Sequence, residues 1–392
     1  MGLRVLFALG TRPEAIKLAP VIQAFRRRAG CRVEVCTTGQ HRSLPDQVLD
    51  LFGIQPDYKL DLMQPDQDLT QLTCRLLSGL QGVLRDARPS LLFIQGDTAT
   101  CFAGALAAFH AQVPVAHVEA GLRTGDPSQP FPEEMNRSLT DMLSRLCFTP
   151  TERARLNLLR EGVSGNRIWV TGNTVIDALR MILARQQVPT EAARLERLLA
   201  RDLGARDGER IVLVTMHRRE SFGPMMECAL RGIRRLVRSR QDVRVVFPVH
   251  PNPNVRSAVL KILGGVDRVR LVPPIDYYRF IWLMSRSVLV ITDSGGVQEE
   301  APALGKPMLV LRDATERPEG IDEGVARLVG TETDRVFEES NEILGNSEVH
   351  RSMARAVSPY GDGRASERIA EITLEQLGHV EESSLVEPIS LA

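Results

Sequence analysis

The segment LLFIQGDTATCFAGALAAFHA, residues 91–111, shows the repeating unit from which the first half of the chain is built. Residues 91–95 form a short apolar run typical of a buried strand, and residues 98–111 follow with a helical pattern. The same alternation predicts further strands at 5–9, 33–37, 115–118 and 147–149, and further helices at 15–28 and 69–85. Continuous Val, Ile and Leu strands separated by helices indicate a parallel sheet covered on both faces.

The same alternation starts again in the second half, with predicted strands at 211–214, 245–249, 269–272, 288–292 and 308–311. Between the halves, residues 186–207 are rich in Arg, Glu and Ala and indicate a surface helix with turns. The sequence therefore predicts an α/β protein with two doubly wound Rossmann-like domains that face each other across a cleft.

We place the domain boundaries from these patterns. The N-terminal domain is predicted at 1–175, with a hinge near 172–176, and the C-terminal domain at 176–364. A final helix at 365–377 is expected to pack back onto the N-terminal domain, and 378–392 to form a loose tail.

Composition excludes several classes of partner. Lys plus Arg and Asp plus Glu both number 49, so the formal net charge is zero, which argues against general binding of nucleic acid or a membrane surface. The sequence contains no run of about 18 apolar residues, the length that would predict a membrane span. The six cysteines form no CxxC pair. We therefore expect reduced thiols and a cytoplasmic location.

Two loops carry features suited to an anion. Gly10-Thr-Arg-Pro-Glu14 ends the first strand and opens a helix that carries Lys17, so Arg12 and Lys17 bring positive charge to a positive helix end. Asp293-Ser-Gly-Gly296 ends a strand of the second domain, and its glycines allow backbone N–H groups to approach a pyrophosphate. Glu300, in the helix that follows, could accept hydrogen bonds from ribose hydroxyls. Arg312 and Arg317 follow the next strand and are expected to face the same ligand.

Acidic side chains follow the strands of the first domain. Asp97 and Glu119 come directly after predicted strands, and Glu133 and Glu134 lie on the next segment. The carboxyl ends of parallel strands are where a catalytic acid or base is expected, although each carboxylate could instead cap a helix or form an ion pair. His217 ends the first strand of the second domain and is also expected at the ligand.

Other polar residues are interpreted as structural. His117 and His250 belong to this group, and no HxxxH or HExxH spacing predicts a metal site. Asp66-Gln67-Asp68 matches the DxD pattern that some glycosyltransferases use for a metal. It lies in a polar loop and does not follow a buried strand, so we do not assign it that role.

Segments along the whole chain resemble those of bacterial non-hydrolysing UDP-N-acetylglucosamine 2-epimerases. The resemblance runs from Leu3 to Leu377. The matching segments are GTRPEAIK (10–17), TGQHR (38–42), QGDTAT (95–100), HVEAGLRTGD (117–126), PEEMNR (132–137), TGNTVIDAL (171–179), MHRRESFG (216–223), PVHPNPNVR (248–256), TDSGGVQEEAP (292–302), ERPEG (316–320) and PYGDG (359–363).

This resemblance implies the glycosyltransferase-B fold, with UDP held mostly by the second domain. It also implies reversible C2 epimerisation of UDP-N-acetylglucosamine to UDP-N-acetylmannosamine, which feeds the synthesis of cell-surface polysaccharide. No cofactor is implied, and a homodimer is expected.

The resemblance also assigns roles to particular residues. The implied catalytic candidates are Lys17, Asp97, Glu119, Glu133 and His217. These candidates except Glu133 are also expected to contact the UDP-sugar, together with Arg12, Phe280 near the uracil, Ser294, Gly295, Gly296, Glu300 and Arg317. A second UDP-N-acetylglucosamine is implied as an activator, at a site formed by Gln40, Arg75, Glu134, Arg218 and His250.

Two segments depart from the family pattern. Ser43 and Pro45 replace residues that are usually longer or able to donate a backbone hydrogen bond, so activator binding is expected to weaken. Ile275 stands where some members carry Gln, which alters a contact expected at the uracil.

The chemistry of the substrate explains this set of groups. The C2 hydrogen is not acidic because C1 is an acetal, so the C1–O bond to UDP must break as C2 loses its proton. Such a reaction needs a carboxylate base, a proton donor across the ring, and cations for the departing diphosphate. A hydrolysing epimerase, a retaining UDP-sugar glycosyltransferase and a non-catalytic UDP-sugar sensor remain the alternatives.

Overall fold

Strands rich in Val, Leu, Ile and Phe form one parallel sheet in each half of the chain. The computed structural model describes residues 2–39, 44–64, 67–204, 208–355 and 358–383. These residues divide into two compact units, one holding the chain up to Ala178 and from Gly361 onward, and the other Leu179–Tyr360. In the described part of the chain, every helix is too short or too polar to cross a membrane.

The first unit contains a seven-stranded sheet with the strand order β3-β2-β1-β4-β5-β6-β7. Its elements are β1 (Leu3–Leu9), α1 (Arg12–Arg26), β2 (Cys31–Thr37), α2 (Leu44–Leu51), β3 (Tyr58–Lys59), α3 (Leu69–Ala87), β4 (Leu91–Gln95), α4 (Ala99–His110), β5 (Val115–Val118), α5 (Glu133–Leu143), β6 (Leu146–Thr149), α6 (Glu152–Arg160), β7 (Ile168–Val170) and the start of α7 (Thr174–Gln186).

The second unit contains a six-stranded sheet with the order β10-β9-β8-β11-β12-β13. Its elements after α7 are α8 (Pro189–Leu203), β8 (Arg210–Thr215), α9 (Pro224–Ser239), β9 (Val243–Pro248), α10 (Pro253–Leu263), β10 (Val269–Val272), α11 (Tyr277–Arg286), β11 (Leu289–Thr292), α12 (Gly295–Ala303), β12 (Met308–Val310), α13 (Glu319–Asp322), β13 (Ala326–Leu328), α14 (Thr333–Gly345) and α15 (Ser347–Met353). The last helix, α16 (Ala365–Ser383), belongs to the first unit.

Aromatic packing shows how α1 covers one face of the first sheet. Phe7 of β1 stacks on Phe93 of β4 with ring centroids 4.8 Å apart, and Phe25 of α1 meets Phe93 edge-on at 5.3 Å. These rings are fully buried. Since aromatic side chains bury large apolar areas, this cluster holds α1 against the centre of the sheet.

The sheets confirm the prediction of two doubly wound units. Every predicted strand is present, and α8 occupies most of the segment predicted as a surface helix. The short strands β3, β7 and β13 were not predicted because they have only two or three residues, too few to show a pattern.

The last helix is longer than predicted. It was expected to end at Leu377 and to be followed by a loose tail, but α16 continues to Ser383. A glycine such as Gly378 costs a helix only about 1 kcal/mol relative to alanine, and no proline follows directly to stop it. The rest of the predicted tail, 384–392, lies outside the described residues. This helix packs on the first unit, where the Arg28 side chain of the segment after α1 pairs with Glu371 at 3.3 Å.

The strand order places two loops at one point in each sheet. In the first unit, β1 lies beside β4, and the loops that follow them contain Gly10–Thr11 and Gly96–Thr98. In the second unit, β8 lies beside β11, and the following loops contain residues 216–218 and 293–294. These are the positions where the strand order reverses, and ligands of doubly wound folds bind there.

Candidate active site

Glu14 joins the two loops at this point of the first unit. One carboxylate oxygen accepts hydrogen bonds from the backbone N–H groups of Gly10 at 3.1 Å and Thr11 at 2.7 Å. The other accepts from the Thr98 hydroxyl at 2.8 Å. Burial raises the pKa of Glu14 to about 7. No role was predicted for Glu14, yet this residue connects the start of α1 to the loop that carries Asp97.

Glu119 occupies a fixed position at the end of β5. Its φ is +70°, unusual for a residue with a side chain. The Lys17 ammonium lies 2.5 Å from Glu119 Oε1, and Asn173 donates to the same oxygen at 3.0 Å. The Gln95 amide donates to Oε2. Lys17 was expected to face an anion at the start of α1, but the structure pairs it with a candidate catalytic carboxylate.

Asp97 is held by α5. Arg137 donates to its carboxylate at 2.5 Å, and the Asn136 amide donates to its backbone carbonyl at 2.9 Å. The Asp97 side chain is 32% exposed, whereas Arg137 is only 5% exposed. The cation is therefore buried and the carboxylate is accessible, as an acid or base that meets a substrate must be.

The other acidic candidates lie at the start of α5. Glu133 is its first residue. Glu134 is buried, and one of its oxygens accepts from the backbone N–H groups of Thr124 at 2.9 Å and Gly125 at 3.1 Å. Glu134 thus holds the loop after β5 in place.

In the second unit, the imidazole of His217 lies beside the carboxylate of Asp293. His217 Nδ1 lies 3.1 Å from Asp293 Oδ1. The other Asp293 oxygen accepts from the backbone N–H groups of His217 at 2.8 Å and Arg218 at 3.0 Å. Burial opposes ionisation, but the hydrogen bond and charge of His217 hold the pKa of Asp293 below its ordinary value. Asp293 thereby orients His217, whose side chain is 37% exposed.

Arg317 packs against the start of α12. Its Nε donates to Glu299 Oε1 at 2.5 Å, and its Nη1 donates to Glu316. A Cβ atom on Gly295 would lie only 2.8 Å from Arg317 Nη1, so a larger residue there would displace the guanidinium. A Cβ atom on Gly296 would meet open space. The N–H groups of the first turn of α12 lack partners within the helix, so an anion can use them.

The guanidinium of Arg317 belongs to a larger charged cluster. Glu316 also pairs with Arg312 at 2.9 Å and lies 3.9 Å from Arg218. Although burial opposes ionisation, these three arginines hold the pKa of Glu316 well below its ordinary range. Arg312 and Arg317 were expected to face the ligand directly. The structure shows that buried glutamates also fix their positions.

Three further residues considered for ligand binding, Glu300, Phe280 and His250, also lie in the second unit. Glu300 is buried and accepts a hydrogen bond from the Tyr277 hydroxyl at 2.7 Å. Phe280 is half-buried on the same helix as Tyr277. The His250 ring stacks on that of His217 with centroids 5.7 Å apart. His250 was interpreted as structural, and this contact places it beside a catalytic candidate.

Several predicted positions lie apart from these contacts or outside the described residues. Arg75 on α3 donates to Gln67 at 2.8 Å, and Asp68 caps the same helix. Gln40, Ser43 and Asp66 lie outside the described residues. Within the described ranges, no group of three or more His, Cys, Asp and Glu side chains is arranged to hold a metal ion.

A family model described as UDP-N-acetylglucosamine 2-epimerase matches residues 23–374. The chain belongs to this family. The UDP-N-acetylglucosamine 2-epimerase of Escherichia coli strain K12 is 49% identical over 369 residues, which cover 94% of this chain and 98% of the relative.

Solved structures of the family agree with this assignment. The UDP-GlcNAc 2-epimerase of Neisseria meningitidis, solved with UDP-GlcNAc bound, is 43% identical, has a TM-score of 0.92, and matches 95% of this chain and all of that one. The MnaA protein of S. aureus, solved with UDP, is 37% identical with a TM-score of 0.87 over the full length of both chains. These likenesses confirm the predicted fold class.

The sequence predicted catalytic candidates but not the residues that form hydrogen bonds or ion pairs with the candidate groups. Asp97, Glu119 and His217 were found because they follow strands. Gln95, Asn173, Asp293, Glu299 and Glu316 were missed as partners, although Gln95 and Asp293 also stand at strand ends. That shared position was the available signal. Asn173 and Glu299 reach partners that lie 54 and 18 residues away only through the folded chain.

Proposed function

We propose that this chain is a non-hydrolysing UDP-N-acetylglucosamine 2-epimerase. C2 epimerisation of UDP-N-acetylglucosamine is the activity of the family to which the chain belongs. The non-hydrolysing route is the proposal. The observation that carries it is the pair of carboxylates at adjacent strand ends, Glu119 beside Lys17 and Asp97 beside Arg137.

The reaction is an elimination followed by a re-addition. A carboxylate removes the C2 proton while the C1–O bond breaks, and the products held by the enzyme are UDP and 2-acetamidoglucal. The UDP oxygen then adds back to C1 while a proton is delivered to the opposite face of C2. Atoms and charges balance without water, and the product is UDP-N-acetylmannosamine.

The first unit supplies the acid–base groups in this proposal. The position of Glu119 beside Gly96 supports it, since a Cβ atom on Gly96 would lie 3.8 Å from Glu119 Oε2. Glu119 is therefore close to the residue that precedes Asp97. Two carboxylates on neighbouring loops suit removal of a proton from one face and delivery to the other. Glu133, at the start of α5, is the third candidate.

The second unit binds the UDP part. The start of α12 and the excess of arginines around Glu316 supply positive charge for a diphosphate. His217, oriented by Asp293, can stabilise the departing diphosphate or donate a hydrogen bond to it. Glu300 and Phe280 are proposed as the contacts to ribose and uracil, and Arg12 of the first unit as a further contact to the diphosphate.

A proton NMR time course in deuterated water tests this function. UDP-N-acetylglucosamine should yield UDP-N-acetylmannosamine with deuterium at C2, and the recovered substrate should gain deuterium with time. Full retention of protium at C2 would rule out the mechanism. Release of free N-acetylmannosamine would identify a hydrolysing enzyme instead, and sugar transfer to an added acceptor would identify a glycosyltransferase.

The activator site is a further part of the proposal. Arg75, Glu134, Arg218 and His250 are proposed to bind a second UDP-N-acetylglucosamine together with Gln40. Reactions started with pure UDP-N-acetylmannosamine should then show a lag that traces of the other epimer shorten. Linear progress from the first time point would show that this chain lacks the site.

The expected homodimer has support on α5. Met135, Leu139 and Met142 repeat at helical spacing and are 42%, 39% and 68% exposed. An exposed apolar stripe of this kind is typical of an interaction surface. Sedimentation of the chain and of a Leu139→Glu variant should show twice the 43.5 kDa chain mass only for the former.

A further inference from the structure

The imidazole of His117 is buried in the first unit, where it contacts two other segments of the chain. His117 is fully buried in β5. Its Nδ1 lies 2.6 Å from Asp141 Oδ1 of α5, and its Nε2 lies 2.7 Å from the backbone carbonyl of Gly96. The sequence alone predicts only a structural role for His117.

Both partners of this ring accept hydrogen bonds. A backbone carbonyl has no proton to give. The other Asp141 oxygen accepts from Arg123 at 2.8 Å and from the N–H of Gly121 at 3.2 Å, so Asp141 is a carboxylate. Burial opposes its ionisation, but His117 and Arg123 hold the pKa of Asp141 below its ordinary value. Both ring nitrogens of His117 therefore face acceptors, an arrangement in which each nitrogen can donate a hydrogen bond.

His117 and Asp141 contact the three segments that carry the candidate catalytic carboxylates. Gly96 precedes Asp97 and has a φ of +76°. Gly121, with a φ of +83°, lies two residues after Glu119. Asp141 itself lies on α5, whose first residue is Glu133. A displacement of the ring would move at least two of these segments relative to each other.

We propose that His117 and Asp141 form a positioning pair that sets the spacing of Asp97, Glu119 and Glu133 for proton transfer. This inference rests on the proposed epimerase function. The pair touches no substrate and acts through the loops. Catalytic groups must be held within a fraction of an ångström by supporting hydrogen bonds, so loss of the pair should slow the chemical step and spare nucleotide binding.

Two substitutions separate the two hydrogen bonds. In His117→Asn the amide nitrogen can replace Nδ1 and keep the bond to Asp141, while the bond to Gly96 is lost. In His117→Gln the amide nitrogen can replace Nε2 and keep the bond to Gly96. We expect kcat to fall about 10- to 100-fold in each variant, the range for loss of a charged hydrogen bond, because each variant breaks one of the two contacts that link the segments.

A matched control lies in the second unit. His350 Nε2 contacts the backbone carbonyl of Val288 at 3.0 Å, and this pair contacts none of the candidate site residues. His350→Asn should lower the melting temperature without changing kcat. In the His117 variants, KM and the Kd for UDP should stay within about twofold of the wild type. An unchanged kcat in a folded His117→Asn variant, measured with active wild type, would overturn the inference.

Two measurements do not depend on activity. Nitrogen-15 NMR of histidine-labelled wild type, with His117→Asn for assignment, should show protons on both ring nitrogens of His117. Amide hydrogen exchange should become faster at residues 96–98 and 119–121 in His117→Asn. A singly protonated ring or unchanged exchange would refute the pair even if the wild type proved not to be an epimerase. Absence of epimerisation by the wild type would instead refute the proposed function.

Discussion

The six strands of the second sheet have the same order as the first six strands of the first sheet. At the position where that order reverses, however, the two units hold functional side chains of opposite charge. In the first unit, the functional groups are carboxylates: Asp97 is accessible and pairs with the buried Arg137, whereas Glu119 and its partner Lys17 are both buried. In the second, the arginine side chains of Arg312 and Arg317 are held by the buried Glu316, and His217 is held by the buried Asp293. The backbone framework is the same, and the supporting side chains decide the chemistry.

This difference teaches how one fold can serve two tasks. A carboxylate base needs a nearby cation that fixes its position. It also needs surroundings of low dielectric constant, which strengthen its electrostatic interactions. A diphosphate site needs positive charge that is fixed in place before the ligand arrives, which buried glutamates achieve for arginines. In each unit, the charged side chains assigned to the ligand are paired with buried side chains of opposite charge. The two units differ in the sign of these charges.

The largest expected effect tests the acid–base half of the comparison. Asp97→Asn and Glu119→Gln should each lower kcat by roughly 10²–10⁴, since a general acid or base contributes about that much. The Kd for UDP, measured by calorimetry, should change little. Glu152→Gln, which alters a 60% exposed carboxylate on α6, is the matched control and should keep the wild-type rate. Wild-type rates in both site variants would remove the carboxylates from catalysis.

A second prediction concerns pH and the stability of the first unit. Burial raises the pKa of Glu14 from an ordinary 4.5 to about 7, so the folded state retains its proton longer than the unfolded state does. The wild type should therefore lose up to about 3 kcal/mol of unfolding free energy between pH 4.5 and pH 7, relative to Glu14→Gln. Urea unfolding of both proteins across this range measures the difference. A constant difference would show that Glu14 titrates normally.

A smaller effect tests the diphosphate half. In Gly295→Ala the new Cβ would lie 2.8 Å from Arg317 Nη1, so the guanidinium must shift. UDP binding should weaken about tenfold, because a charge-assisted hydrogen bond is lost or distorted. Gly82→Ala on α3, where a Cβ atom meets nothing within 4 Å, is the control and should leave the Kd unchanged. Equal Kd values for the two variants would argue against a role of Arg317 in UDP binding.

The smallest expected effect is that of a chelator. If the arginines and the start of α12 neutralise the diphosphate, treatment with EDTA should leave most of the activity intact. A large loss of activity that magnesium restores would show that a metal ion supplies the charge. It would favour a metal-binding role for the Asp66–Asp68 segment.

The sequence predicted most of the architecture and the catalytic candidates. Buried strands such as Leu91–Gln95 carry a strong apolar signal, and the residue that follows a parallel strand must lie at the functional edge of the sheet. This is why Asp97, Glu119 and His217 could be named in advance. Strands of two or three residues at the sheet edges carry too little pattern to be found this way.

Only the tertiary structure decided which charges support which. Lys17 and Glu119 are 102 residues apart in the chain, and Arg137 and Asp97 are 40 apart. Such pairs depend on the packing of helices against strands, which local sequence patterns do not encode. The role of His117 shows the same limit, since the chain alone places it in a strand, and only folding brings Asp141 and the Gly96 carbonyl to its two nitrogens.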